Sequence, residues 1–160
     1  MLLLVDANVL IDFALADRAV LALVAGHVGA VHVPRDVLAE VDQLDEAACA
    51  ELGLVVVDGT LEQLAEAGAG SGRLSFEDRL CLILARDNGW TCISNDGRLR
   101  RECEAAGVAV MWGLQLMLEL VARGTMTPDA AIEVAEAIGR VNPRMRPEVI
   151  DEFRRRARGA

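Results

Sequence analysis

The sequence contains no lysine and no tyrosine, and its aromatic residues are three Phe and two Trp in 160 positions. So few rings cannot supply the row of stacking faces with which sequence-blind single-strand binders hold successive bases. The core must come from Leu, Val, Ala and Ile, which suits an α/β sandwich. Cys49, Cys81, Cys92 and Cys103 have no Cys-x-x-Cys spacing, and no charged segment followed by a small-residue cleavage site opens the chain. The expected setting is the cytoplasm, with reduced thiols. The opening MLLLV is too short to span a membrane, and no run of about 18 apolar residues occurs elsewhere, so no membrane partner is expected. Histidine occurs only at 27 and 32, without a Ser-His or Cys-His arrangement, and neither GxxxxGK[ST] nor GxGxxG is present.

What is present is apolar and acidic. Apolar residues make up 53% of the chain, enough for one core of ordinary size. The net charge of −9 opposes any general grip on nucleic acid, which needs many cations to displace counterions. The charge is uneven, however. Residues 140–160 hold seven Arg against Glu148, Asp151 and Glu152, leaving about −13 on the remainder.

Short apolar runs at 2–5, 30–33, 54–57, 90–94 and 108–111 alternate with helical patterns, which predicts right-handed crossovers and a three-layer α/β/α fold around a mostly parallel five-stranded sheet. Pro34 is expected in the first turn of a helix carrying Val37, Leu38, Glu40 and Val41. Thr60 is expected to cap a helix reaching about Ala67, and Ser75 to cap one over 76–88 that stops at Gly89. Beyond Trp112 only helices are predicted, near 112–123, 127–139 and 146–157. The expected division is thus a domain over 1–112 with a helical C-terminal appendage, 113–160, packed on it.

In open parallel sheets, ligand sites gather beyond the carboxyl ends of the strands. Asp6 and Asp96 each follow an apolar strand run and precede a helix. Asp78 lies in a first helical turn, near the same edge if that helix starts there. Glu40, two turns into its predicted helix, reaches the edge only if that helix is tilted or short. Such oxygen ligands suit Mg²⁺ or Mn²⁺, which can activate water for in-line displacement at phosphorus. Each acid also has a plain structural reading. Asp78 stands three residues after Ser75, as a capping-box acid would, Asp6 and Asp96 can cap their helices, and Glu40 can face solvent.

Val-Asp-Ala-Asn-Val-Leu (5–10), Pro-x-x-Val-x-x-Glu (34–40), Asp-x-x-x-x-x-x-Ala (78–85) and Ile-Ser-Asn-Asp (93–96) resemble, in order and spacing, the acidic motifs of PIN-domain nucleases, including bacterial toxins of the VapC type. The resemblance covers roughly residues 1–112. It implies a Mg²⁺- or Mn²⁺-dependent endoribonuclease with RNA as substrate, often a homodimer and often neutralised by a small antitoxin. It makes Asp6, Glu40, Asp78 and Asp96 the catalytic metal ligands, directly or through water, with Asn8, Ser94 and Asn95 as supporting polar groups. Gly97 and Arg98 stand where the commonest toxin pattern has a further acid. Arg98, Arg100 and Arg101 can contact phosphate or form a solvated helix face. Arg154 to Arg158 can bind RNA, pair with an acidic partner surface, or fray. Competing readings are a haloacid-dehalogenase-type phosphatase, which lacks its second acid at Asn8 and any lysine, and a non-catalytic PIN-like RNA- or protein-binding module.

Overall fold

The computed structural model describes residues 1–159. Five parallel strands, β1 (Leu2–Val5), β2 (Ala30–Pro34), β3 (Val55–Val57), β4 (Thr91–Ile93) and β5 (Val110–Met111), form one sheet in the order β3-β2-β1-β4-β5. Leu3 pairs with Val31 on one side and with Thr91 on the other, so β1 is central. Its residues Leu3, Leu4 and Val5 are essentially fully buried, as a continuous apolar run on a doubly covered strand requires.

The chain builds outward from β1 through β2 to β3, then returns to place β4 and β5 on the other side. With right-handed crossovers this reversal puts the helices after β1 and β2 on one face and those after β3 and β4 on the other. The first group is α1 (Ala7–Ala16), α2 (Ala19–His27), α3 (Arg35–Leu38) and α4 (Glu46–Leu52). The second is α5 (Leu61–Ala69), α6 (Phe76–Asn88) and α7 (Gly97–Ala105), with α6 packed on β1 and β4. The helices α8 (Gln115–Ala122), α9 (Pro128–Val141) and α10 (Pro147–Ala157) lie outside the first group: α8 packs on α2, α9 on α1, and α10 on α9. Ile150, Phe153 and Ala157 bury one face of α10, so the arginine-rich tail is a docked helix and not a frayed one.

Three predicted strands begin later than their apolar runs, for one reason. Gly53, Gly89 and Gly107 end α4, α6 and α7 in the left-handed region, at φ 77°, 68° and 76°. The next residues, Leu54, Trp90 and Val108, then donate their N–H groups back to Cys49, Ala85 and Cys103. That closes the helix ends and keeps these residues out of the sheet.

The helix expected around Glu40 is corrected. Pro34 ends β2, paired with Val57, and α3 stops at Leu38. Glu40 and Val41 donate to Val37 and Leu38 in tight turns, at 3.0 and 2.9 Å, while burial of Val41 and Leu44 pulls the chain inward. Glu40 therefore lies just beyond a single helical turn, exposed, and not two turns along a helix.

Candidate functional site

The order of strand addition reverses between β1 and β4, and parallel sheets open a crevice at the carboxyl end of such a switch. Asp6 leaves β1 there and Ser94-Asn95-Asp96 leaves β4, joined by the Asp6 N–H donating to the Ile93 carbonyl at 3.2 Å. Asp6 is the N-cap of α1 and is 3% exposed: its Oδ1 accepts from Val9 N–H at 3.0 Å, and its Oδ2 accepts from Ser94 Oγ at 2.5 Å. The same Ser94 Oγ accepts from Asp96 N–H at 3.0 Å. Asp96 in turn caps α7 by accepting from Arg98 N–H at 2.8 Å. The capping and site readings of these two acids therefore coincide, because each cap fixes its carboxylate at the switch point.

Asp78 approaches from α6. Its amide donates to Ser75 Oγ at 3.1 Å, half of a capping box. In α5 the whole box forms between Thr60 and Gln63, whereas at α6 the reciprocal bond is not made among the described residues. The Asp78 carboxyl is raised above its ordinary range, chiefly by burial and then by the charge of Asp96, with the Ser75 hydroxyl opposing. Glu40 is raised by partial desolvation, then by Glu77 and Asp78. Asp6 is pushed up to about 6 by burial, against its hydrogen bonds from Ser94 and Val9, with smaller contributions from Asp78 and Asp96. Asp6, Asp78 and Asp96 thus share one field, and exposed Glu40 joins it only through Glu77 and Asp78.

As the side chains stand, no three His, Cys, Asp or Glu among the described residues converge tightly enough to chelate an ion. The donor chemistry nevertheless fits a hard divalent cation, since the groups are oxygen donors. No Arg forms an ion pair with Asp6, Glu40, Glu77, Asp78 or Asp96 among the described residues, although nine such pairs occur elsewhere. Clustered carboxylates without a cation repel, and a bound ion would relieve that repulsion.

A family model described as a PIN domain matches residues 2–159. The chain belongs to the PIN-domain family. A search of curated proteins gave no match. Among solved structures, the fold is similar to that of a PilT N-terminus domain protein, SSO1118, from the hyperthermophilic archaeon Sulfolobus solfataricus P2. That similarity has a TM-score of 0.56 at 12% identity and covers 72% of this chain and 90% of the other.

Within this PIN domain the supporting residues separate. Ser94, fully buried, links Asp6 to Asp96. Asn95 Oδ1 accepts from Gly113 N–H at 3.0 Å, where an added Cβ would meet the Val9 methyls at 3.1 and 3.2 Å. Asn8 is exposed and borders a cleft beside Asp96. The three arginines of α7 divide as well. Arg98 and Arg101 are exposed, while Arg100 donates to the Ser94 carbonyl at 3.2 Å and lies 3.4 Å over the Trp112 ring. Arg100 is therefore a brace for the β4 end.

The sequence reading missed Glu77, whose only signal is adjacency to Asp78. It also missed the cleft of about 740 Å³ bounded by Asn8, Asp96, Trp112, Arg144 and Arg146. The α9–α10 loop forms one wall of that cleft because Asn142 Nδ2 donates to both Asp12 oxygens, at 3.0 and 3.2 Å, and Asn142 Oδ1 accepts from Arg144 N–H. Elsewhere, His32 is satisfied by the Leu3 carbonyl at 2.8 Å and stacks on Trp90, and all four cysteines are buried and free. No helix among the described residues is long and apolar enough to cross a membrane.

Proposed function

We propose that the protein is a divalent-metal-dependent endoribonuclease. The observation that carries this reading is the meeting of Asp6 and Asp96 through Ser94 at the switch point of a PIN domain, with Asp78 in their field and Glu40 in that of Asp78, and with none of the four paired with an Arg among the described residues. These four residues would hold Mg²⁺ or Mn²⁺, directly or through water, and the ion would supply water activation and charge neutralisation at the leaving oxygen. The protein's own part is positioning. Ser94 orients Asp6, the α1 and α7 caps fix Asp6 and Asp96, and Arg100 anchors the strand end from which Ser94 projects.

The test is cleavage of labelled RNA by the full chain with Mn²⁺ or Mg²⁺. Cleavage by the wild type that is lost in Asp6→Asn and in Asp96→Asn supports the reading; full activity in both variants overturns it. A second reading, a non-catalytic PIN-like module binding RNA or a protein, is favoured by the lack of three chelating side chains in place among the described residues. Calorimetry with Mn²⁺ separates the two, because an intact fold that takes up no metal at millimolar concentration supports the inert module.

The finer reading is a cytoplasmic toxin, acting as a homodimer and neutralised by a small antitoxin. The four free, buried thiols accord with a reducing compartment. Growth arrest on expression, relieved by a small neighbouring reading frame, would support the toxin role.

A further inference from the structure

Trp112 is one of two tryptophans in a chain poor in rings, yet it is 44% exposed. Arg100 covers part of its ring, and the remainder borders the cleft that begins at Asp96 and Asn8 and continues past Asn95 into a more apolar hollow of about 630 Å³. Opposite stand Arg144 and Arg146, exposed and without an ion-pair partner among the described residues. Their loop is pinned to α1 through Asn142 and Asp12, so the Asp12 carboxylate in the cleft wall is already engaged. An aromatic face offered beside unpaired guanidinium groups fits a base and its flanking phosphates, and the cation stacked on the ring strengthens the platform.

We propose that this cleft is a single-stranded RNA subsite of the acidic centre, in which Trp112 stacks one base and Arg144 and Arg146 meet adjacent phosphates. The proposal rests on the ribonuclease reading for its substrate. A strand in the cleft would run from the α9–α10 loop across Trp112 toward Asp96, which presents a phosphodiester to the acids. Local binding of this kind can coexist with a net charge of −9, because Arg144, Arg146 and Arg156 line the cleft and hollow, although Glu148 and Glu152 line the hollow with them.

The test is fluorescence anisotropy with a labelled single-stranded RNA and its duplex, using the full chain in chelator so that nothing is cut. The wild type should prefer the single strand. Trp112→Leu should weaken binding about 10-fold or more while Trp112→Phe keeps most of it. The Arg144→Gln, Arg146→Gln double variant should weaken binding and lower the salt slope by about 0.7 for each phosphate that is no longer neutralised. Melting curves for each variant separate weaker RNA binding from impaired folding. Wild-type binding that is unchanged in Trp112→Leu and in the double arginine variant overturns the subsite, as does equal affinity for duplex or no RNA binding by the wild type. Trp112-dependent binding in a protein that cleaves nothing with Mn²⁺ supports the subsite and overturns only the ribonuclease reading.

Discussion

Acids on the outer surface and acids at the carboxyl edge of the sheet are the same groups in opposite company. On the surface, Glu46 and Asp58 share Arg35, Glu66 and Asp87 share Arg86, and Glu136 and Asp151 share Arg154. At the edge the neighbouring charges are acidic: Asp78 and Asp96 act on Asp6, Glu77 and Asp78 on Glu40, and Asp96 and Glu77 on Asp78, although Arg98 and Arg101 sit on the helix that Asp96 caps. Arg100, on the same helix, does turn inward, but onto the Ser94 carbonyl and the Trp112 ring and into no ion pair with these acids among the described residues. Proteins hold buried like charges together at a cost in stability, and that cost is met where a ligand supplies the missing charge.

The largest expected effect tests whether the edge acids act on substrate. Asp96→Asn and Asp6→Asn should each lower RNA cleavage at least about 100-fold, the scale for removing one group that stabilises a transition state. Asp58→Asn, which alters a paired surface acid, should leave the rate close to wild type. Equal rates for the edge and surface variants would erase the distinction.

Next in size is the stability cost. A carboxyl moved from 3.8 to about 6 is disfavoured as the anion by roughly 3 kcal/mol. Asp6→Asn removes that charge but must rearrange the bond to Ser94. In chelator near pH 7.5 it should therefore gain roughly 2 kcal/mol, a rise of about 4–8 °C in Tm. Mn²⁺ should raise the wild type and leave the variant behind, since only the wild type binds it well. Scanning calorimetry with and without metal checks this, and a variant less stable than wild type in chelator would count against a cost of burying the Asp6 charge.

What the sequence discloses of this contrast depends on how local each signal is. The α6 helix was legible from Ser75 to Gly89 because its cap and its stop lie within its own turns. The late starts of β3, β4 and β5 were not, because the bonds that remove Leu54, Trp90 and Val108 from the sheet belong to the preceding helix ends. Pro34 was misread for a related reason: a proline before an apolar pattern is a good first-turn residue, but the pairing of β2 with β3 claims it. Asp6 and Asp96 were readable as strand-end acids, whereas the resemblance implied Ser94 only as a supporting polar group, and its bond to Asp6, across 88 positions, left no local signal. The Asn142–Asp12 bond spans 130 positions, and neither it nor the stacking of Arg100 on Trp112 leaves a trace in periodicity or spacing.

Asp12 offers a smaller test, on a buried acid away from the edge. Burial pushes its carboxyl up to about 6, against the bond from Asn142. A raised carboxyl binds its proton more tightly in the folded state, so its contribution to stability is greatest below about pH 4 and is lost as pH rises through 6. Asp12→Asn lacks that dependence. Relative to wild type, the variant should become more stable by roughly 1–2 kcal/mol between pH 4 and pH 7, then level off. Urea midpoints at unit pH steps would show this, and a constant difference across the range would contradict it.

The smallest effect belongs to a paired surface acid and sets the scale for the rest. Arg154 donates from Nε and Nη2 to one Glu136 oxygen, at 3.0 and 2.9 Å, tying α10 to α9. Both side chains remain about a third exposed, so solvent and salt screen the pair. Arg154→Gln should cost less than about 1 kcal/mol, and less still in high salt. The tail should stay docked, because Ile150, Phe153 and Ala157 hold it by buried apolar area. Urea unfolding at low and high salt checks both points. A loss above about 2 kcal/mol would mean that paired charge, and not apolar burial, holds α10, and the surface acids would then carry as much energy as the edge acids.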